Sequence, residues 1–175
     1  MPKIIDIPYA DKTIQAEFPD RTFIIPEGGR KNLEPIYDLK AALKEALSNP
    51  LGMPPIARLV KPDSWVTIAF DDLTLSAFGE IRKVAILEVL DQLEKAGVSQ
   101  DKVTLICANA LHRKFRPEEL AVVLGENMVK AFGPRLFCHD AEDRENLVYL
   151  GKTTEGYDVE VSRYVVESDL TVYIN

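Results

Sequence analysis

The first part of the chain alternates between apolar and polar residues. The segments KIIDIPY and KTIQAEF have the two-residue period of β-strands and flank Ala10 and Asp11, so we predict a β-hairpin there. RTFIIPE is predicted to form a third short strand, which ends at its proline. The run IYDLKAALKEAL after Pro35 repeats its apolar residues with helical spacing. It predicts a helix that Asn49 and Pro50 end.

The rest of the chain alternates between strand-like and helix-like patterns. Four short apolar runs predict strands: WVTIAF, KVTLICA, RLFC and the terminal DLTVYIN. Helical periodicity fits Glu80–Ala96, with Gly97 in the left-handed position after it. A second helical pattern begins at Pro117, breaks at Gly125 and resumes to Phe132. Between that helix and the terminal run, LVYLGKTTEGYDVEVSRYVV predicts two short strands around a Glu-Gly turn.

This order of elements predicts an α/β fold. We expect a Rossmann-like, mostly parallel sheet flanked by helices, with an N-terminal β-hairpin appendage. The length of 175 residues suits one domain, or one domain with a small appendage.

Composition narrows the possible partners. The net charge of −7 argues against a nucleic-acid partner, because phosphate binding needs a clustered basic surface. Cys107 and Cys138 lie in apolar runs and are predicted to be buried structural thiols, which fits a cytoplasmic protein. The N-terminus has no signal pattern and no apolar run reaches membrane-spanning length, so we expect no membrane partner.

Polar side chains follow two neighbouring strands of the predicted sheet. Asp71 and Asp72 come after the first strand, and Asn109, His112 and Arg113 after the second. Ligands of open parallel sheets bind outside the carboxyl ends of the strands, so we predict that Asp72 and His112 meet at that edge, directly or through one water. A carboxylate that accepts a hydrogen bond from one imidazole nitrogen fixes the tautomer and makes the other nitrogen a better base. The alternative is that these aspartates only cap helices or shape turns.

Other polar residues have two interpretations each. Arg113 either holds an anionic substrate or pairs with a surface carboxylate. Thr74 and Ser76, near the start of the next helix, either contribute to an anion site or only cap that helix. The segment HDAEDR, which begins at His139, is more typical of a solvated turn than of a site loop. The sequence contains no glycine-rich nucleotide-binding motif, no serine-nucleophile motif and no obvious zinc site.

The order of several short motifs resembles a known family. The motifs are DIPYADKTIQAEF, SNPLG, FDDLT, ANALHR, HDAEDRENLVYLG and VVESDL, and together they span nearly all 175 residues. This order is similar to the N-terminal part of the nickel-dependent lactate racemase family. The resemblance implies that residues 1–175 form the N-terminal α/β domain of a two-domain protein of more than twice this length.

The same resemblance implies an activity and a cofactor. Members of that family interconvert the stereoisomers of 2-hydroxy acids by hydride transfer, using a nickel pincer nucleotide that is tethered to a lysine. Two histidines act as acid and base, and another histidine ligates nickel. The lysine, the nickel-ligating histidine and the second catalytic histidine would lie beyond Asn175, so the C-terminal domain is the implied partner and no cofactor is expected on the fragment by itself.

Two motifs of the family can be matched residue by residue to this sequence. The family pattern Asp-x-Thr-Arg-Pro matches DLTLS from Asp72, and Thr-Gly-x-His-Arg matches NALHR from Asn109. The resemblance implies that His112 is an acid/base residue and that Asp72 orients it. Thr74 and Arg113 carry over in the same way and are predicted, with Leu75, to lie at the substrate. We also predict that Asp71, Ser76 and Asn109 contact the cofactor, and no residue of this chain is assigned to the metal.

Leu75 departs from the family pattern, which has an arginine at that position. A leucine cannot form a bidentate pair with a carboxylate. The departure leaves two interpretations open. The chain is either the domain of a racemase or epimerase for another hydroxy acid, inactive by itself, or a non-catalytic small-molecule-binding module that kept the fold and lost the site.

Overall fold

A computed structural model describes residues 2–25, 34–74 and 80–175. It divides the chain into two compact units, Met1–Pro35 and Ile36–Asn175. No described helix is both long enough and apolar enough to cross a bilayer.

The first unit contains the predicted hairpin. Strands β1 (Lys3–Tyr9) and β2 (Lys12–Phe18) pair antiparallel with Tyr9 opposite Lys12, which leaves a two-residue turn. Ala10 in that turn has a φ of 52°. The prediction of a third strand in RTFIIPE is wrong over residues 21–25, which form no strand, and its last two residues lie outside the described part. An apolar run forms a strand only when a neighbouring strand takes up its hydrogen bonds, and no strand in the described part of the chain pairs with residues 21–25.

The second unit is built on a parallel sheet. Its strands are β3 (Val66–Asp71), β4 (Val103–Ala108), β5 (Leu136–Cys138) and β8 (Leu170–Ile174), in the order β5-β4-β3-β8. Each neighbouring pair is parallel. β6 (Leu147–Lys152) and β7 (Asp158–Ser162) form a separate antiparallel pair. The predicted fold class is therefore confirmed.

Five helices occur in the described residues of this unit. Their bounds are α1 Leu39–Ser48, α2 Ile81–Lys95, α3 Pro117–Leu124, α4 Glu126–Phe132 and α5 Arg163–Val166. The break at Gly125 is confirmed, and this glycine has a φ of 85° between α3 and α4.

Two helices differ from the sequence prediction. α1 begins three residues later than Ile36, because the carboxylate of Asp38 accepts the N–H of Ala41 at 2.9 Å and caps the helix there. α5 falls in a segment that was predicted to be extended. Four residues are too few for helical periodicity to show in a sequence.

The core lies around the two central strands. All six residues of β3 are buried, and Phe70 and Ile68 are completely inaccessible. Ile86 and Leu93 of α2 pack with Leu105 of β4 in the same hydrophobic cluster. Because β3 and β4 are held in the centre of this core, the polar residues that follow them start from rigid positions.

Candidate active site at the carboxyl edge of the sheet

The register of β3 and β4 brings the predicted residues to one edge. Asp71, the last residue of β3, is paired with Ala108, the last residue of β4. Asp72 and Asn109 therefore leave the sheet side by side, and each is almost completely buried, with 6% and 3% of its surface exposed.

His112 contacts Asp72 directly. Nδ1 of His112 is hydrogen-bonded to Oδ2 of Asp72, so the predicted contact is confirmed. The carboxylate side chain is 7% exposed and the imidazole 52% exposed. When Asp72 is ionised it can only accept, so Nδ1 carries the hydrogen, and in the neutral form of the imidazole Nε2 then has the lone pair. The buried Asp72 thus holds the imidazole ring so that Nε2 of His112 can act as a base.

Thr74 holds the other carboxylate oxygen of Asp72. Its backbone N–H donates to Oδ1 at 3.0 Å and its hydroxyl donates to the same atom at 2.5 Å. Burial would raise the pKa of Asp72, but the hydrogen bonds from Thr74 and His112 outweigh it and lower that pKa from 3.8. Asp72 therefore both shapes a local turn, as the alternative interpretation held, and contacts His112 while ionised.

Asn109 closes the loop that carries His112. The N–H of His112 donates to the carbonyl of Asn109 at 2.8 Å, and Nδ2 of Asn109 donates to the carbonyl of His112 at 2.9 Å. Ala110 lies inside this loop with a φ of 46°, where the family motif has glycine. Oδ1 of Asn109 is buried and finds no hydrogen-bond partner in the described residues. A buried acceptor without a partner is costly, so this atom is suited to a donor from a bound molecule.

Asp71 has a partner that the sequence did not reveal. The hydroxyl of Tyr173, on β8, donates to Oδ1 of Asp71 at 2.9 Å. The hydrogen bond to Asp71 and partial burial raise the pKa of Tyr173 above 10.0. The phenolic hydroxyl of Tyr173 on the terminal strand was the available signal, but sequence alone could not say which strand β8 would join.

Arg113 is engaged by a carboxylate. Its two terminal nitrogens bond to the two carboxylate oxygens of Glu119 at 2.9 and 2.6 Å, and its guanidinium lies 5.2 Å from the centre of the Phe115 ring. This bidentate pair, with the N–H of Arg116, lowers the pKa of Glu119 to about 2. The arrangement matches the surface-carboxylate interpretation of Arg113, and any anion it bound would compete with Glu119.

A polar cavity of about 280 Å³ lies beside this edge. Lys114 and Asp140 form an ion pair in its wall, and His139 and Cys138 also border it. The carboxylate of Asp140 accepts the N–H of Glu142 at 3.0 Å, as expected for a capped turn. His139 lines this cavity, and among the described residues it makes no hydrogen bond or ion pair with Asp72 or His112.

Two predicted residues, Leu75 and Ser76, lie outside the described residues. Within the described ranges, no group of three or more His, Cys, Asp or Glu side chains is arranged to hold a metal ion.

The sequence matches a known protein family over nearly its whole length. The model of the lactate racemase N-terminal domain matches residues 9–175. The chain belongs to this family. A lactate racemase from Thermoanaerobacterium thermosaccharolyticum is 24% identical over 172 residues, which are 96% of this chain and 38% of that protein.

This lactate racemase-like domain also has a matching solved structure. The lactate racemase apoprotein from Thermoanaerobacterium thermosaccharolyticum superimposes with a TM-score of 0.69 at 22% identity, over 98% of this chain and 38% of the other. At this identity the match shows the fold. The chain thus spans less than half the length of the relatives it matches.

Proposed function

We propose that this chain is the part of a 2-hydroxy acid racemase or epimerase that carries one acid/base histidine. The observation that supports the proposal most is the contact between His112 and the buried, ionised Asp72 at the carboxyl edge of a parallel sheet. Membership of the lactate racemase N-terminal domain family supports the reaction class.

His112 is proposed to move the hydroxyl proton of the substrate. With Nδ1–H donated to Asp72, Nε2 accepts the proton of the 2-hydroxyl group and later returns it. Asp72 keeps the ring in this tautomer and stabilises the imidazolium that forms. Thr74 holds Asp72 in place, so the base does not have to reorganise during proton transfer.

A nickel pincer nucleotide, when bound, would supply the acceptor and donor of the substrate hydride. The described residues offer no metal ligand set, so this chain would contact the cofactor without ligating its nickel. The buried and unpartnered Oδ1 of Asn109 fits a donor group of such a molecule. Ser76 and Asp71 are also proposed to contact the cofactor. The carboxylate of Asp71 would do so while it accepts the hydrogen bond from Tyr173. The metal ligands would come from the C-terminal domain.

The substrate is proposed to be a hydroxy acid larger than lactate, or a polyol-type acid. Leu75 stands where the family has arginine, and the guanidinium of Arg113 is already paired with Glu119. Both features argue against a binding mode in which two arginines at this edge hold the carboxylate of a small substrate. Thr74, Leu75 and Arg113 are the proposed substrate contacts, and Arg113 would have to exchange its pair with Glu119 for one with the substrate.

The test uses the natural polypeptide that contains these residues, loaded with its cofactor, on a panel of single-enantiomer hydroxy acids. We expect His112→Asn to lower kcat by about 10²–10⁴-fold, the usual share of a general base. His139→Asn is the matched control at the same sheet edge and should keep the wild-type rate. Equal activity of wild type and His112→Asn would overturn the assignment. Binding of hydroxy acids without any turnover would favour the non-catalytic binding module.

A further inference from the structure

Cys107 and Cys138 are direct neighbours across two strands. They are paired in the register of β4 and β5, at the last position of β5 and the next to last of β4. Neighbouring strands lie about 4.8 Å apart, which is inside the range of roughly 4.4–6.8 Å that Cα atoms have in disulfides. Cys107 belongs to the hydrophobic core cluster and Cys138 packs against that cluster, so both side chains point to one face of the sheet. Both are free thiols.

The two thiols differ in access. Cys107 is completely buried, as predicted, whereas Cys138 is partly exposed and borders the 280 Å³ cavity, which the prediction of two buried thiols missed. The cavity gives a small polar molecule a route to Cys138 but not to Cys107.

The surroundings of Cys138 favour its thiolate. The sulfur accepts the N–H of Phe115 at 3.2 Å, and the ammonium group of Lys114 lies in the same cavity. A hydrogen bond from Cys107 lowers the pKa of Cys138 to about 7, while the pKa of Cys107 is raised by the same contact and by burial. The exposed thiol is therefore the nucleophile, and the buried one stays protonated.

We propose that Cys107 and Cys138 form an oxidisable dithiol, with a small hydroperoxide as oxidant. The Cys138 thiolate attacks the peroxide, the O–O bond breaks, and hydroxide leaves as Cys138 becomes a sulfenic acid. The sulfur of Cys107 then attacks the Cys138 sulfur. An S–S bond forms, the S–O bond breaks, and the oxygen leaves as water with the proton of Cys107. The two cysteines lose two electrons and the peroxide gains them.

This disulfide would join the strands whose carboxyl ends carry the His112 and His139 loops. It would also remove the thiol hydrogen that Cys138 donates to the carbonyl of Phe115 at 3.7 Å. The proposal does not depend on racemase activity, because its readout is the state of the thiols.

The test treats the reduced chain with hydrogen peroxide, then unfolds it in the presence of a maleimide and measures its intact mass. We expect a chain lighter by two hydrogen atoms, with no maleimide added, a peptide cross-link between Cys107 and Cys138, and recovery of both thiols with dithiothreitol. Cys107→Ser should stop at a dimedone-reactive sulfenic acid on Cys138. Cys138→Ser should keep its Cys107 thiol under the same peroxide.

A wild-type chain that still takes two maleimides, or that forms only disulfides between chains, would overturn the proposal. A second measurement uses only the wild type, so its result does not depend on whether the cysteine variants fold. In the native wild type, the rate of Cys138 alkylation should be half-maximal near pH 7. A rate that rises only toward pH 9, as for an ordinary thiol, would contradict the assigned nucleophile.

Discussion

Asn109 and His112 hold each other through two reciprocal hydrogen bonds. The N–H of His112 donates to the carbonyl of Asn109, and the side-chain amide of Asn109 donates to the carbonyl of His112. Since Asn109 is 3% exposed, the loop that presents the imidazole is anchored in the protein interior. The position of His112 thus depends on two buried side chains, Asn109 for its backbone and Asp72 for its ring.

Replacing Asn109 by aspartate should destabilise the fold. A carboxylate cannot donate to the carbonyl of His112, and it would be buried at a position where the asparagine oxygen already lacks a partner. We expect Asn109→Asp to lower the free energy of unfolding by about 1–3 kcal/mol in urea titrations. The same change at the exposed Asn127 is the control and should alter it by less than about 0.5 kcal/mol. Equal effects at the two positions would mean that the loop does not need this bond.

Tyr173→Phe should lower the free energy of unfolding, because Asp71 loses its hydrogen bond from β8. The change removes the hydroxyl that donates to a carboxylate that is 9% exposed. Hydrogen bonds to charged groups are worth about 1.5–3 kcal/mol, and we expect a loss near the lower value because Tyr173 is itself 55% exposed. Thermal or urea unfolding measures it, with Tyr157→Phe on the exposed surface as the matched control. A loss as small as that of the control would show that water replaces the tyrosine hydroxyl.

Asp72 should make stability depend on pH in the acid range. Its pKa in the folded state lies below 3.8, so its stabilising contribution is complete above that value and is lost as the pH falls through the lower pKa. We expect Asp72→Asn to cost about 1–3 kcal/mol at neutral pH and to differ progressively less from wild type as the pH drops below 3.8. Urea titrations of both proteins from pH 7 to pH 2 check this. A constant difference over the whole series would contradict an ionised, hydrogen-bonded Asp72.

Leu75→Arg should shift substrate preference toward lactate in the natural polypeptide that contains this chain. Regaining a charge-assisted hydrogen bond to a carboxylate is worth about 1.5–3 kcal/mol, or about tenfold to more than a hundredfold in affinity. Rates on lactate and on larger hydroxy acids measure the shift. Leu75→Lys restores the charge without the bidentate geometry and should recover less. If wild type already turns over lactate as well as the arginine variant, Leu75 does not determine specificity.

The 175-residue chain by itself should bind nickel weakly and racemise no hydroxy acid. The described residues contain no cluster of three metal-ligating side chains, and a hydride-transfer cofactor must be held in register with its base. Isothermal titration with nickel and chiral chromatography of lactate check the two statements. Stoichiometric nickel after purification without added metal would contradict the first, and measurable racemisation the second.

The candidate site was partly predictable because parallel strands end at a common edge. That rule predicts from the sequence that Asp72 lies beside His112, and the hydrogen bond between them confirms the prediction. The rule could not predict which partner Arg113 would take. Its guanidinium reaches Glu119 six residues further on, a contact that depends on how α3 starts.

The sequence by itself determined the order and type of most elements, because hydrophobic periodicity and turn residues act over a few neighbouring positions. Only the tertiary structure decided which strands are neighbours. It placed β8 next to β3, so that Tyr173 reaches Asp71 across 102 positions, and it set Cys107 opposite Cys138. Among the residues that the structure describes, it also gave residues 21–25 no partner strand, although their pattern is that of a strand. Periodicity reports which side of a segment is apolar, whereas pairing depends on contacts through space that distant segments make only once the chain has folded.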